Sequence, residues 1–257
     1  MSPPKKALIA VTSAHAPLYV DGKETGLFIT EALHPFEVFQ KAGFEVDLVS
    51  ETGKYQPDWL SLQKDWLSDS ERSIWENHSS TFRSKLDNLL KPGDIKPGEY
   101  GLFFASAGHG SLIDYPDAKG LQGVASKIYT NGGIVSAVCH GGAIFSGIID
   151  PATSKSVIAG KKVTGFTTKG EEEEGVLDTI KSWKRPTIEA SAADAGATCK
   201  YNIPSPITTP CYYGFHDRKL IFHFCPRRFP SRTLGCLRHV GWEDSHGGQS
   251  SQCQRHG

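Results

Sequence analysis

The stretch Gly132-Gly133-Ile134-Val135-Ser136-Ala137-Val138-Cys139-His140-Gly141-Gly142 decides the architecture. The first two glycines end a preceding helix, because glycine enters the left-handed region at a helix C-terminus without steric cost. Ile134 to Val138 is a short apolar run that reads as a strand buried on both faces. Cys139 follows it directly. The small residues Gly141, Gly142 and Ala143 permit a sharp turn there, into a helix predicted to begin over Ala143 to Ile149. Strands buried on both faces and alternating with helices belong to a parallel sheet.

Outward from this point the same alternation recurs. Ala7 to Thr12 reads as a buried first strand, and the apolar positions Leu27, Ala32, Leu33, Phe36 and Phe39 fit a helix ending near Gly43. Phe44 to Ser50 alternates as a second strand, so the N-terminal part is a strand–helix–strand unit. Residues 51–98 are more polar and carry Trp59, Trp66 and Trp75. They read as a helical insertion over the sheet edge, with a helix around Ser80 to Leu90 packed on the sheet. Tyr100 to Ala105 is a third strand and stops at the small-residue turn Ser106 to Gly110. A helix is predicted over Asp117 to Asn131, with Leu121, Val124, Ile128 and Tyr129 inward. A strand follows over Lys162 to Thr167, then a helix over Val176 to Trp183. The run Glu171 to Glu174 by itself reads as a solvated helix start. Beyond Thr198 the pattern decays, apart from a last strand at Lys219 to Phe222. One α/β domain is expected over 1–224, followed by a divergent, poorly ordered tail over 225–257.

Lys plus Arg and Asp plus Glu both number 28, so the formal net charge is zero and neither nucleic acid nor an anionic membrane is expected as a partner. No apolar run approaches the roughly 20 residues that span a bilayer. The start, Met1 to Lys6, leads into a strand rather than a signal-peptide core, and the expected compartment is the cytoplasm, with the nucleus as a further location. Cys139 is the lone cysteine before a group in the tail: Cys199, Cys211, Cys225, Cys236 and Cys253. Cys225, Cys236, His239 and His246 lack the paired short spacings of structural zinc sites, and no metal is expected.

A cysteine at the carboxyl end of a strand stands where α/β proteins gather their ligands. There it presents its sulfur at a helix N-terminus, which favours thiolate. Cys139 is therefore read as a nucleophile on a strand-to-helix turn, akin to the serine elbow of hydrolases. His140 reads as a general acid/base, its N–H also placed to stabilise an oxyanion. Glu31 lies among apolar neighbours and is either a buried carboxyl of raised pKa or a helix-surface glutamate.

Six segments carry a resemblance in order along residues 6–197: Leu27 to Phe36, Gly43 to Gly53, Phe103 to Gly110, Asp114 to Pro116, Ala137 to Gly141 and Thr164 to Thr167. Through them the sequence resembles the ThiJ/PfpI superfamily, and within it the fungal heat-shock-type glyoxalase III group. The resemblance implies a flavodoxin-like three-layer α/β sandwich, often dimeric, with a helical insertion and an atypical C-terminal part here. It implies Cys139 as nucleophile, His140 as its base, Glu171 as the acid orienting His140 (with Glu172 a rival), and Glu31 against the sulfur. Gly110 and His109 would lie by the bound oxygen. The implied reaction turns methylglyoxal and water into lactate without glutathione, metal or other cofactor. The alternatives are a cysteine peptidase or amidase on the same fold, and a holdase for unfolded client proteins with a redox-sensitive cysteine. The tail departs from the family pattern in the manner of a shifted reading frame or a misread intron.

Overall fold

The computed structural model describes residues 4–199. The expectations for the strand at Lys219 to Phe222, the boundary at 224, the tail and its cysteines from Cys211 onward lie outside these residues.

Four strands, β1 (Lys6–Ala10), β2 (Glu45–Val49), β3 (Leu102–Ala105) and β4 (Ile134–Ala137), form one sheet in the order β2-β1-β3-β4. All three pairings are parallel. Ala10 aligns with Val49 and with Ala105, and Ala105 aligns with Ala137. The strands therefore end level, and the loops leaving β1, β2, β3 and β4 gather at one edge. This is the flavodoxin-like order, with its crevice at the carboxyl ends of the strands.

Side-chain alternation divides the strand residues between two cores. Leu8, Ala10, Phe103, Ala105, Val135 and Ala137 face one side, together with α5 (Lys119–Thr130), α7 (Leu177–Ser182) and α8 (Ile188–Asp194). Ala7, Ile9, Val46, Leu48, Leu102 and Phe104 face the other, against α1 (Ile29–Lys41) and α3 (Thr81–Asp87). The helix α5 turns Leu121, Val124 and Ile128 inward and ends before Gly132, whose φ is 87°. The insertion holds α2 (Asp69–Glu76), α3 and three short 3-10 turns. It is tied down at Ser68 by a capping box with Glu71, and at α3 by buried Phe82 and Leu86.

Two expectations are corrected. The segment after Cys139 is not an α-helix but a 3-10 helix over Cys139–Gly147. Its start is jammed against β3: a Cβ on Gly141 would stand 2.4 Å from the Ala105 carbonyl oxygen. The tighter 3-10 winding suits that crowding. It also removes the regular α-helical dipole expected to favour the thiolate. The strand expected over Lys162 to Thr167 is reduced to β5 (Lys162–Val163), paired with β6 (Thr198–Cys199). Thr167 leaves the ladder to cap the next helix, accepting from the Gly170 N–H at 2.8 Å. The helix α8, in an alanine-rich stretch, was not anticipated.

Candidate active site

The loop after β4 places Cys139 at φ 53°, in the left-handed region. Such a conformation costs a non-glycine residue roughly 1–2 kcal/mol and is held only where the surroundings enforce it. The extended Val138 before it and Gly141 wedged against β3 supply that enforcement. The side chain is 6% exposed, at the level of the strand ends.

His140 Nδ1 lies 3.0 Å from Cys139 Sγ, and His140 Nε2 lies 2.7 Å from Glu171 Oε1. A hydrogen on Nε2 donated to Glu171 leaves the Nδ1 lone pair facing the sulfur. That is the tautomer needed to take the thiol proton. Glu171 stands on α6 (Thr168–Glu173) and is 1% exposed, whereas Glu172 points to solvent. The structure thus brings Glu171, not Glu172, to His140. The solvated helix start read from the charge run alone fails for its first residue, since α6 turns that one inward. Burial pushes the Glu171 carboxyl up, but the His140 charge and hydrogen bonds from His109 and His140 outweigh it and hold the pKa at about 2. Burial, aided by the neighbouring His109, pulls His140 down to about 4 against the attraction of Glu171. At neutral pH the carboxylate is ionised and the imidazole neutral.

Glu31, in the first turn of α1, is 3% exposed, so the buried alternative holds. Neither of its oxygens makes a well-formed hydrogen bond among the described residues. Burial lifts its pKa to about 8; the Asp58 charge adds to the rise, and the Cys139 side chain and Ala107 backbone oppose it. Glu31 therefore carries a proton at neutral pH, beside the sulfur.

Gly110 follows β3 and precedes α4 (Ser111–Asp114). A Cβ there would stand 2.5 Å from the Ala14 carbonyl oxygen, so only glycine fits. Its N–H donates to no group among the described residues. His109, expected by the substrate oxygen, has its Nε2 3.0 Å from Glu171 Oε2. His109, His140 and Glu171 offer three potential ligand atoms within 4.8 Å of one another. Those atoms are engaged with each other, and the group reads as a hydrogen-bonded cluster rather than a ligand set.

Sequence reasoning missed Asp58. It is fully buried and accepts from Tyr19 Oη at 2.8 Å, Thr25 Oγ1 at 2.7 Å and the Ser61 N–H at 3.1 Å. It also missed Phe166, whose ring centroid lies 4.8 Å from that of His140. Neither residue sits in a pattern that marks it. Only the Thr164 to Thr167 segment, already singled out, could have pointed to Phe166.

No family model matches the chain. It is 50% identical over 193 residues to glyoxalase 3 of Candida albicans, covering 75% of this chain and 82% of that protein. It is 49% identical over 201 residues to the glutathione-independent glyoxalase HSP31 of Saccharomyces cerevisiae, covering 78% of this chain and 84% of that protein. The crystal structure of glyoxalase III from Candida albicans superposes with a TM-score of 0.77 at 45% identity, over 85% of this chain and 90% of that one. A cysteine–histidine–glutamate chain at the strand ends, on a scaffold shared at such identity, leads to one conclusion: this chain belongs to the family of glutathione-independent glyoxalases.

Proposed function

We propose that the protein converts methylglyoxal and water to lactate, using Cys139 in place of glutathione. The observation that carries this reading is the continuous hydrogen-bonded line from Cys139 Sγ through His140 to Glu171, with protonated Glu31 beside the sulfur. Relatives named glyoxalase 3 and glutathione-independent glyoxalase support it.

Neutral His140 takes the thiol proton, and the sulfur adds to the aldehyde carbon to give a hemithioacetal. The Gly110 N–H, which donates to no group among the described residues, is a donor for the oxygen that becomes anionic. Removal of the C1 proton gives an enediolate, and protonation at C2 gives the thioester of lactate. Among the described residues, His140 and Glu31 interact with the Cys139 side chain and can move that proton. Because Glu31 starts protonated, it acts first as acid and becomes a base only after giving its proton up. Water then cleaves the thioester, freeing lactate and the thiol. The overall change adds one water and needs no redox partner.

The test is lactate formation from methylglyoxal without glutathione. Wild type should turn over, Cys139→Ala should be inactive, and Glu171→Gln should fall by orders of magnitude because it no longer holds the imidazolium. Lactate formation undiminished in Cys139→Ala would sink the proposal. The cytoplasmic location, a homodimer and the holding of unfolded clients belong to the same reading, and sedimentation and an aggregation assay test the last two.

A further inference from the structure

Glu171 is held by two histidines. Oε1 accepts from His140 Nε2 at 2.7 Å, and Oε2 lies 3.0 Å from His109 Nε2. A carboxylate gripped at one oxygen can swing about its terminal torsion, which is broad and roughly two-fold. Gripped at both oxygens, it cannot swing without losing a charge-assisted hydrogen bond in a site where the carboxylate is 1% exposed. The His109 ring also packs on His140, centroids 4.0 Å apart at 37°, and lies 6.0 Å from Phe166, which itself packs on His140. His109 therefore contacts both His140 and the carboxylate that orients it, and its side chain, 14% exposed, is the least buried of the three.

We propose that His109 is a positioning residue: by donating from Nε2 to Glu171 Oε2 it fixes the carboxylate that fixes His140, and so aims Nδ1 at the Cys139 sulfur. This assigns the side chain to the relay rather than to the substrate oxygen. It follows that a donor at the same reach replaces histidine, whereas an apolar side chain of similar size does not. The inference deepens the glyoxalase reading of the site and rests on it for the turnover assay alone.

The test compares wild type, His109→Gln and His109→Leu. The glutamine amide nitrogen reaches where Nε2 stands, and leucine offers no donor. Leucine should lower kcat roughly 10- to 100-fold, in the range seen when an outer partner of a functional histidine is lost. KM should stay within about two-fold and glutamine should restore most of kcat, because the contact acts through hydrogen bonding and not through substrate. Alkylation of Cys139 by iodoacetamide, followed by peptide mass spectrometry, should slow in the leucine variant and recover in the glutamine variant. Should the leucine variant fail to fold, long-range 15N NMR of wild type decides, since His109 must carry its hydrogen on Nε2. A rise in KM with kcat retained, a glutamine variant as impaired as the leucine one, or an unprotonated Nε2 would each overturn the proposal. The alkylation and NMR readouts hold even if wild type makes no lactate, a result that would count against the glyoxalase reading instead.

Discussion

Glu31→Gln isolates the electrostatic cost of burying a carboxyl beside Cys139. The folded chain holds Glu31 at about 8 against an ordinary 4.5, mainly through burial. Raising the pKa from 4.5 to about 8, at about 1.36 kcal/mol per pH unit, corresponds to about 5 kcal/mol. Because the folded pKa is raised, the folded state binds the proton more tightly than the unfolded state. The contribution is thus fully present below pH 4.5 and is lost as pH rises through 8. Glutamine has the shape of the protonated acid and does not titrate. The stability difference, wild type minus Glu31→Gln, should fall by about 1.4 kcal/mol per pH unit between 4.5 and 8 and level off above. Urea melts of both proteins at five pH values from 5 to 9 measure it. Other titrating groups are common to both chains and largely cancel. Parallel stability curves over that range would refute the buried, protonated Glu31 and with it the acid role.

The remaining predictions concern the turn and the cluster. Cys139→Gly should be about 1 kcal/mol more stable than Cys139→Ala, since only alanine keeps a Cβ at φ 53°; thermal melts compare them. Gly110→Ala should lose about 1–3 kcal/mol of stability and most activity, because its Cβ would meet the Ala14 oxygen at 2.5 Å. Glu171, held low, contributes stability that is present above pH 4.5 and lost as pH falls through 2, so Glu171→Gln should flatten the acid limb of the stability profile. In 13C NMR, His140 should stay neutral down to pH 5 in wild type, its pKa lying at about 4.

Local pattern made much of this molecule legible. The strands at 6–10, 45–49, 102–105 and 134–137 and the helices α1 and α5 each announce themselves within a few residues, through apolar runs and glycine stops. Cys139 was legible for the same reason: a strand, a turn and small residues all lie within one short stretch. The 3-10 helix after it was not, because only the close approach of Gly141 to β3 rules out an α-helix there. The early end of β5 was not legible because Thr164 to Thr167 keeps an apolar residue at Phe166, which packs on His140 rather than in a sheet.

The sequence by itself determined a parallel α/β chain with a cysteine at a strand end, since both follow from spacing along the backbone. Only the tertiary structure decided which carboxylates serve it. Glu171 and Glu172 are equivalent in a run of four glutamates, and α6 turns only the first toward histidines 31 and 62 residues away in the chain. Glu31 is an ordinary helix glutamate until the segments that carry Cys139, Ala107 and Asp58 meet around it and burial removes its water. Burial and opposing charge act over a few ångströms in space, and no separation along the chain encodes them.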